Sequence, residues 1–272
     1  ARSSAACACA TECPSGAMTY AYPSAPDLAR RLRTLLQTYE RAGGRDAVVL
    51  LHAADGRDVI ANAARRGDGL PARVIPVEVH HIASVGLDLW LAALAWGASG
   101  VAVLATGAEA PEYHAAIVAQ MRVADAIAQG LGYEGEHFRL LDGADAVAFA
   151  AALRDGPPAL AVRVPATFAG TPEKRTTAAL AIEHLAAHAP VPRKEIPLPA
   201  GAPFGTIAVD PNTCTMCLAC VGSCPVGALQ DGQEVLELRF VESKCVQCGL
   251  CRETCPEQAI SLAPRLNLAA EA

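Results

Sequence analysis

The sequence predicts an α/β protein in which helices cover both faces of a parallel sheet, followed by a small C-terminal α+β domain. Between residues 46 and 164, continuous apolar segments of strand length alternate with helical patterns, which is typical of parallel strands buried on both sides. Apolar residues make up 52% of the chain and aromatic residues only 4%, as in a helix-rich α/β protein. From residue 206 onward the chain is rich in cysteine and carries short strand signals.

The α/β pattern begins after a predicted short strand at residues 19–22 and a turn marked by Pro23 and Pro26. Asp27 is the predicted cap of the first helix, which Gly43-Gly44 ends. One face of this helix is apolar, with Leu28, Leu32, Leu35, Leu36 and Tyr39 at helical spacing. The other faces carry Arg30, Arg31, Arg33 and Arg41, which we interpret as a solvated surface, with docking of a partner as the alternative.

Strands and helices then alternate along the chain. The apolar segments predict strands at residues 47–51, 73–79, 100–105, 137–141 and 159–164. The helical patterns predict helices near residues 57–66, 84–96, 111–129 and 144–154, and an alanine-rich helix at 173–188.

One apolar run, residues 82–108, is long enough to cross a bilayer and has Asp88 as its only charge. Gly97-Ala98-Ser99-Gly100 interrupts it, and no Lys or Arg lies close to either end. We therefore interpret it as a buried helix, a turn and a buried strand rather than a membrane span. Trp90 and Trp96 of this helix are expected in the core.

A proline-rich segment separates the two parts of the chain. Residues 189–205 contain five prolines, a composition that cannot form a helix and favours an extended, stiff linker. The predicted organisation is a degenerate remnant at 1–26, an α/β domain at 27–188, the linker at 189–205 and a cysteine-rich domain at 206–272. In the last domain, residues 206–210 are the predicted first strand and residues 235–241 a predicted hairpin.

One cysteine pattern occurs twice in the last domain. Each copy reads C-x2-C-x2-C-x3-C-P, the spacing that binds 4Fe-4S clusters, and the Cys-Pro turns the chain after the last ligand. The first copy consists of Cys214, Cys217, Cys220 and Cys224, followed by Pro225. The second consists of Cys245, Cys248, Cys251 and Cys255, followed by Pro256.

This spacing predicts two 4Fe-4S clusters with exchanged ligands. Three closely spaced thiolates wrap around three iron corners, and their loop is too tight for its fourth cysteine, which serves the other cluster. The predicted ligand sets are Cys214, Cys217, Cys220 and Cys255 for one cluster, and Cys245, Cys248, Cys251 and Cys224 for the other. Zinc is the main alternative, but it is usually bound by two separate C-x2-C hooks and fits a third cysteine and a Cys-Pro poorly. A disulfide framework fits less well still.

Charge and cysteine usage bear on partners and location. The net charge of -6 and the absence of a basic stripe argue against nucleic acid as a partner. Eight of the eleven cysteines have metal-ligand spacing and the sequence shows no signal peptide, so we expect a reducing cytoplasm. Because the chain begins at Ala1 and not at methionine, we expect a segment of a longer protein or a processed product.

The N-terminal residues contain part of a third cysteine motif. Cys9, Cys13 and Pro14 match its end, but Ala6 and Ser3 occupy the positions of the first two ligands, and Cys7 is out of register. A degenerate remnant with free thiols is the favoured interpretation. The alternative is a third cluster completed by another segment.

The C-terminal ends of the predicted parallel strands are where ligands bind in such sheets. The residues found there are His52, His80, His81, Thr106, Gly107 and Glu109. They either form a site for a small molecule or metal, or serve as ordinary capping and edge residues, which is the favoured interpretation. No dinucleotide or ATP motif, nucleophile elbow or H-E-x-x-H sequence is present, so no catalytic residue is predicted.

Two family resemblances extend these expectations. Residues 206–263 resemble a bacterial-type ferredoxin with two 4Fe-4S clusters, and all eight ligand positions match. Residues 46–142 resemble the delta subunit of methyl-viologen-reducing hydrogenase, a family that relays electrons between hydrogenase or formate dehydrogenase and heterodisulfide reductase. Three segments carry this second resemblance: residues 73–77, residues 97–101, and Glu112-Tyr113-His114 leading to Met121-Arg122. The whole chain is similar to the C-terminal part of iron-sulfur proteins associated with bacterial formate dehydrogenases.

The second resemblance departs from its family in one respect. That family carries 2Fe-2S cysteines in this domain, whereas the present chain has no cysteine between residues 14 and 213. The resemblance therefore implies a scaffold that docks redox partners of the formate dehydrogenase or hydrogenase type. We expect a non-catalytic electron-transfer subunit. The alternatives are an iron-sulfur enzyme whose α/β domain binds a small substrate near His52, His80 and Glu109, and a docking module that couples the ferredoxin to a larger dehydrogenase.

Overall fold

The computed structural model describes residues 24–66, 69–156, 159–232 and 234–269. They fall into two compact units. The α/β unit comprises the described residues up to Asp125 together with Gly132–Pro190, and the C-terminal unit comprises Ala126–Leu131 and the described residues from Val191 onward. The predicted strand at 19–22 and the cysteines Cys7, Cys9 and Cys13 lie outside the described residues.

The sheet of the α/β unit is parallel. Its four strands are β1 (Val48–His52), β2 (Val74–Glu78), β3 (Gly100–Ala105) and β4 (Phe138–Asp142). They lie in the order β2-β1-β3-β4, so that Val48 pairs with Val74 on one side and with Gly100 on the other. The two central strands, β1 and β3, are buried along their whole length. This is the continuous apolar pattern from which a parallel sheet was predicted.

Helices alternate with these strands. They are α1 (Ala25–Arg41), α2 (Gly56–Arg66), α3 (Leu87–Ala95), α4 (Pro111–Gly130), α5 (Ala146–Asp155) and α6 (Lys174–Ala187). A short 3-10 turn, Ile82–Ser84, precedes α3. The predicted fold class is therefore confirmed, with element ends within a few residues of the predicted ones.

Both faces of the sheet are packed. Leu50 and Leu104 point to the face covered by α2 and α5, where Phe149 and Leu153 complete the core. Their chain neighbours Leu51 and Val103 point to the opposite face and are equally buried. Each such side chain contributes about 1.5–3 kcal/mol through burial of apolar surface.

Helix α3 is buried on all sides. All of its residues are buried, including Asp88, whose pKa is raised by burial. Trp90 and Trp96 are also buried, and the indole Nε1 of Trp96 donates a hydrogen bond to the carbonyl of Phe168. These contacts agree with the interpretation of residues 82–108 as a buried helix, turn and strand. Across the described ranges, none of the helices combines the length and apolar character needed to span a bilayer.

The C-terminal unit is a small α+β structure. Strands β5 (Glu195–Pro197), β6 (Gly205–Val209) and β9 (Ile260–Asn267) form an antiparallel sheet in the order β5-β9-β6. Strands β7 (Leu229–Asp231) and β8 (Leu238–Phe240) form a separate antiparallel pair. Two five-residue helices, α7 (Ala219–Ser223) and α8 (Leu250–Thr254), lie within the two cysteine motifs.

The predicted fifth strand at residues 159–164 is wrong. These residues are neither helix nor strand, and their environment explains why. The N–H of Leu160 donates to the carbonyl of Glu134 in a loop rather than to a neighbouring strand. Leu160 and Val164 are also 45% and 53% exposed, so the segment lacks the two-sided burial that its apolar composition suggested.

Three other details differ from the sequence predictions. Helix α1 is capped by Ser24, whose Oγ accepts the N–H of Asp27, so Asp27 lies in the first turn instead of at the cap. Part of the predicted linker, Glu195–Pro197, is paired with β9 as a strand of the C-terminal unit. The segment predicted as a hairpin at 235–241 provides only β8, and its partner β7 comes directly after the first cysteine motif.

Candidate iron-sulfur site

The two cysteine motifs adopt matching backbone conformations. The residue before the second cysteine is left-handed in both copies, Met216 with φ of 54° and Gln247 with φ of 55°. The residue after the second cysteine is also left-handed, Leu218 at 57° and Gly249 at 81°. Left-handed turns of this kind curl the backbone so that successive N–H groups face a concave, anion-binding space. The local fold is therefore built twice around the same kind of cavity.

The first cavity, called here the Cys214 cavity, takes cysteines from both motifs. It is lined by Cys214, Cys217 and Cys220 of the first motif and by Cys255 of the second. Its volume is about 380 Å³, including its opening to solvent. Met216 and Glu257 also line it.

The second cavity, called here the Cys245 cavity, has the converse composition. It is lined by Cys245, Cys248 and Cys251 of the second motif and by Cys224 of the first. Its volume is about 350 Å³, again including its opening to solvent. The structure thus brings all eight predicted site residues together in two groups of four, and the grouping is the exchanged one that the spacing predicts.

Hydrogen bonds to sulfur occur at corresponding places in both cavities. The N–H of Ala228 donates to Sγ of Cys224 over 3.2 Å, and the N–H of Ala259 donates to Sγ of Cys255 over 3.4 Å. Both donors lie four residues after the cysteine, where the Cys-Pro turn brings the chain back towards the sulfur. Such bonds stabilise negative charge on a thiolate.

Burial divides the cysteines into distinct environments. Cys220 and Cys251 are buried, and burial raises the pKa of both thiols. Burial also acts to raise the pKa of Cys224, but four backbone N–H groups outweigh it and hold that pKa below its ordinary value. Cys217 and Cys248 are exposed. Each cavity therefore has one of its cysteines at the surface.

An apolar cluster underlies both cavities. Cys220 and Cys251 pack with Leu229 and Ile260, and partly buried side chains including Phe240 surround them. This packing excludes water from the inner sides of the cavities. Solvent exclusion is one of the properties that set the reduction potential of an iron-sulfur cluster.

An ion-pair network fixes the strand next to the second motif. Arg265 on β9 donates to both carboxylate oxygens of Glu242, at 2.9 and 2.7 Å, and to Glu195 on β5 at 2.8 Å. The hydrogen bond from Arg265 holds the pKa of Glu242 below its ordinary value. Glu242 begins the short turn that leads into Cys245, so this network positions the first cysteine of the second motif.

Within residues 24–66, 69–156, 159–232 and 234–269, no three His, Cys, Asp or Glu side chains are grouped so as to hold a single metal ion. The cysteines of the two motifs line the two cavities described above.

The candidate residues at the strand ends of the α/β unit have local partners. His52 is buried, and its Nδ1 lies 2.9 Å from the carbonyl oxygen of Ala53. Nδ1 of His81 accepts the N–H of Ala83 and caps the 3-10 turn. The carboxylate of Glu109 accepts the N–H groups of Thr106 and Gly107. These contacts agree with the capping interpretation, and they give no positive support to a substrate site.

Two residues at the cavities were not singled out from the sequence. The side-chain Nε2 of Gln247 donates to Sγ of Cys245 over 3.4 Å, and Glu257 lines the Cys214 cavity. Their counterparts in the other motif are Met216 and Val226. Aligning the two motifs residue by residue would have identified both positions as differences in polarity.

Comparison with known proteins agrees with this geometry. Residues 206–256 match the family model described as a 4Fe-4S dicluster domain. The match contains all eight cysteines that line the two cavities. A comparison of the chain with curated proteins gives no significant match. The C-terminal part of the chain is therefore ferredoxin-like and has an iron-sulfur electron-transfer role.

Proposed function

We propose that this chain is an electron-transfer protein or subunit that relays single electrons between redox partners through two 4Fe-4S clusters, one in each cavity. The observation that supports this most directly is the composition of the cavities. Each is lined by four cysteines, three from one motif and one from the other. This is the ligand arrangement expected of ferredoxins that hold two 4Fe-4S clusters.

The proposed ligands are Cys214, Cys217, Cys220 and Cys255 in one cavity, and Cys245, Cys248, Cys251 and Cys224 in the other. When bound, each cluster supplies a one-electron redox centre. The residues of the chain supply thiolates, N–H groups directed at sulfur, and an apolar environment. None of these groups forms or breaks a bond with a substrate, so we assign no catalytic residue.

We further propose that the chain works within a redox complex of the formate dehydrogenase or hydrogenase type, in the cytoplasm. The resemblance of residues 46–142 to a hydrogenase delta subunit supports this, as does the spacing of eight cysteines for metal binding and not for disulfides. The α/β unit would then serve as a docking scaffold. The direct test is anaerobic co-purification with a catalytic subunit at low salt, and a chain that remains solitary there would count against the complex.

The exchanged ligand sets are tested with paired substitutions in anaerobically reconstituted protein. The wild-type chain should contain about eight iron atoms and show a reducible 4Fe-4S signal in electron paramagnetic resonance. Cys214→Ser with Cys255→Ser removes two ligands from the same proposed cluster, so about half of the iron and one signal should remain. Cys214→Ser with Cys224→Ser removes one ligand from each cluster, so both signals should be lost or altered.

The two double variants form a matched pair, because each removes two cysteines from the same unit. If every cluster were held by the four cysteines of one motif, the second variant would keep a cluster and the first would lose both. That result would reject the exchanged assignment. Wild-type protein without any reducible 4Fe-4S signal would reject the proposed function itself.

A further inference from the structure

The two cavities have the same backbone design but differ in two side chains. Because the left-handed turns recur at the same positions, the backbone contributes similarly to both. The aligned residues Met216 and Gln247 differ in hydrogen-bonding capacity, and the aligned residues Glu257 and Val226 differ in charge. Each of the four lines its own cavity.

Gln247 adds a hydrogen bond that the first motif cannot make. Its Nε2 donates to Sγ of Cys245 over 3.4 Å and to the carbonyl of Thr206 over 3.0 Å, so the amide is held in place by β6. Its Oε1 is buried without a hydrogen-bond partner, an arrangement that costs free energy. Met216, at the same position of the first motif, has no N–H to donate.

The backbone hydrogen bonds do not offset this difference. Ala228 donates to Cys224, which lies in the Cys245 cavity, and Ala259 donates to Cys255, which lies in the Cys214 cavity. In each cavity, the residue four positions after the exchanged cysteine thus donates a bond of this type. The bond from Gln247 is additional, and it is directed at the cluster that the second motif would hold.

The charged side chain acts in the same direction. Glu257 places a carboxylate at the Cys214 cavity, whereas the uncharged Val226 lies at the Cys245 cavity. Reduction adds negative charge to a cluster, so a nearby carboxylate disfavours it and a hydrogen bond to a ligand sulfur favours it. Glu257 is exposed, so solvent and salt screen its effect, and Gln247 is expected to have the larger influence.

We infer that the cluster in the Cys245 cavity has the higher reduction potential, and that Gln247 is the residue that raises it. This inference rests on the proposed function. An electron that a low-potential partner delivers to the Cys214 cavity would then pass to the Cys245 cavity, where it is held more stably. In this transfer the cluster of the Cys214 cavity would lose one electron, the cluster of the Cys245 cavity would gain it, and no bond would form or break. The Cys245 cavity is thus the exit side for a partner that accepts electrons.

The test is a potentiometric titration followed by electron paramagnetic resonance. The first measurement compares Gln247→Met with its parent in the Cys214→Ser, Cys255→Ser background, where only the Cys245 cavity can hold a complete cluster. We expect the equilibrium constant for reduction to fall about tenfold, which is about 59 mV for a one-electron couple. Gln230→Met is the matched control, because Gln230 donates to the carbonyl of Gly227 and to no cysteine sulfur. It should leave the potential unchanged.

The reverse substitution keeps the inference testable if Gln247→Met fails to assemble. Met216→Gln in the otherwise wild-type chain should raise the lower of the two potentials and bring the two closer together. Glu257→Val should also raise the lower potential, by an amount that shrinks at high salt. An unchanged potential in an assembled Gln247→Met variant, or in Met216→Gln, would overturn the inference while leaving the proposed function intact. Loss of all reducible 4Fe-4S signal from the wild-type protein would instead overturn the proposed function.

Discussion

Asp125 on α4 carries an unfavourable charge within the α/β unit. Its Oδ1 is buried without a hydrogen-bond partner, and Glu136 lies close by. Burial, followed by repulsion from Glu136, raises the pKa of Asp125 from 3.8 to about 6, although the N–H of Phe138 opposes the rise. We predict that Asp125→Asn, which keeps the shape of the side chain and removes its charge, stabilises this unit at neutral pH.

The size and sign of the effect follow from this pKa. A rise from 3.8 to about 6 corresponds to about 3 kcal/mol, and solvent screening of a half-buried group reduces this to about 1 kcal/mol. Because the folded pKa is the higher one, the folded state binds more protons between these two values. Its stability therefore falls as pH rises through this range, and the full penalty is present above about pH 6. The gain from Asp125→Asn should be complete at neutral pH and should shrink as pH falls towards 4.

Tryptophan fluorescence measures this stability selectively. The two tryptophans of the chain, Trp90 and Trp96, are both buried in the α/β unit. Urea unfolding is followed by their emission, on the intact anaerobic protein, at a neutral and an acidic pH. Glu183→Gln, an exposed change in the middle of α6, is the control and should alter stability little at either pH. Equal gains from Asp125→Asn at both pH values, or no gain at neutral pH, would refute the reasoning.

Three further predictions concern the C-terminal unit. Glu242→Gln should weaken the bidentate contact with Arg265. We expect it to lower the free energy of unfolding of the C-terminal unit by about 1–2 kcal/mol, measured by loss of the visible absorbance of the clusters in denaturant. Because the pKa of Glu242 is lowered in the folded state, the wild-type advantage should be present above its ordinary pKa of 4.5 and be lost as pH falls below it. Gly249→Ala should lower the stability by about 1 kcal/mol in the same assay, because φ at Gly249 is 81°, a left-handed conformation that other residues rarely adopt. The loss would come from the backbone and not from a clash, since the nearest atom to an added Cβ, Cδ1 of Leu262, is 3.6 Å away. Gly222→Ala is the control and should leave the stability unchanged, because a Cβ added to Gly222 has no atom within 4 Å and φ is not positive there. Removal of iron by a chelator should unfold the C-terminal unit, measured by circular dichroism, and leave tryptophan emission unchanged.

The sequence predicted those parts of the fold that depend on local patterns. Strands β1 and β3 are buried at every position, and all of their residues except His52 are apolar, because both faces of the sheet are covered. Such apolar runs can be recognised in the sequence without knowledge of the topology. The cysteine spacing is equally local, since three ligands within seven residues already define a loop around one cavity. Both predictions depend only on residues that are close together in the sequence.

The features that the sequence did not predict depend on contacts between residues that are far apart in the sequence. Residues 159–164 are as apolar as a strand, but the backbone of Leu160 bonds to a loop carbonyl, which no local pattern reveals. Glu195–Pro197 reads as part of a proline-rich linker, yet Ile196 is paired with Leu266, a partner far along the chain. At the site, the amide of Gln247 reaches both Thr206 and Cys245, and only the fold places β6 beside the second motif.

The proposed exchange of the fourth ligand would also help to hold the C-terminal unit together. Among the described residues of the unit, the apolar cluster beneath the cavities has four buried members, and two of them, Cys220 and Cys251, are proposed ligands. The proposed ligands therefore belong to the apolar core of the unit as well as to its cavities. Since each motif contributes a cysteine to both cavities, every cluster would join the two motifs, which otherwise meet through short helices and a few side chains. The iron-thiolate bonds would therefore act as cross-links between the halves of the unit, and the cysteines that hold the clusters would also add to its stability.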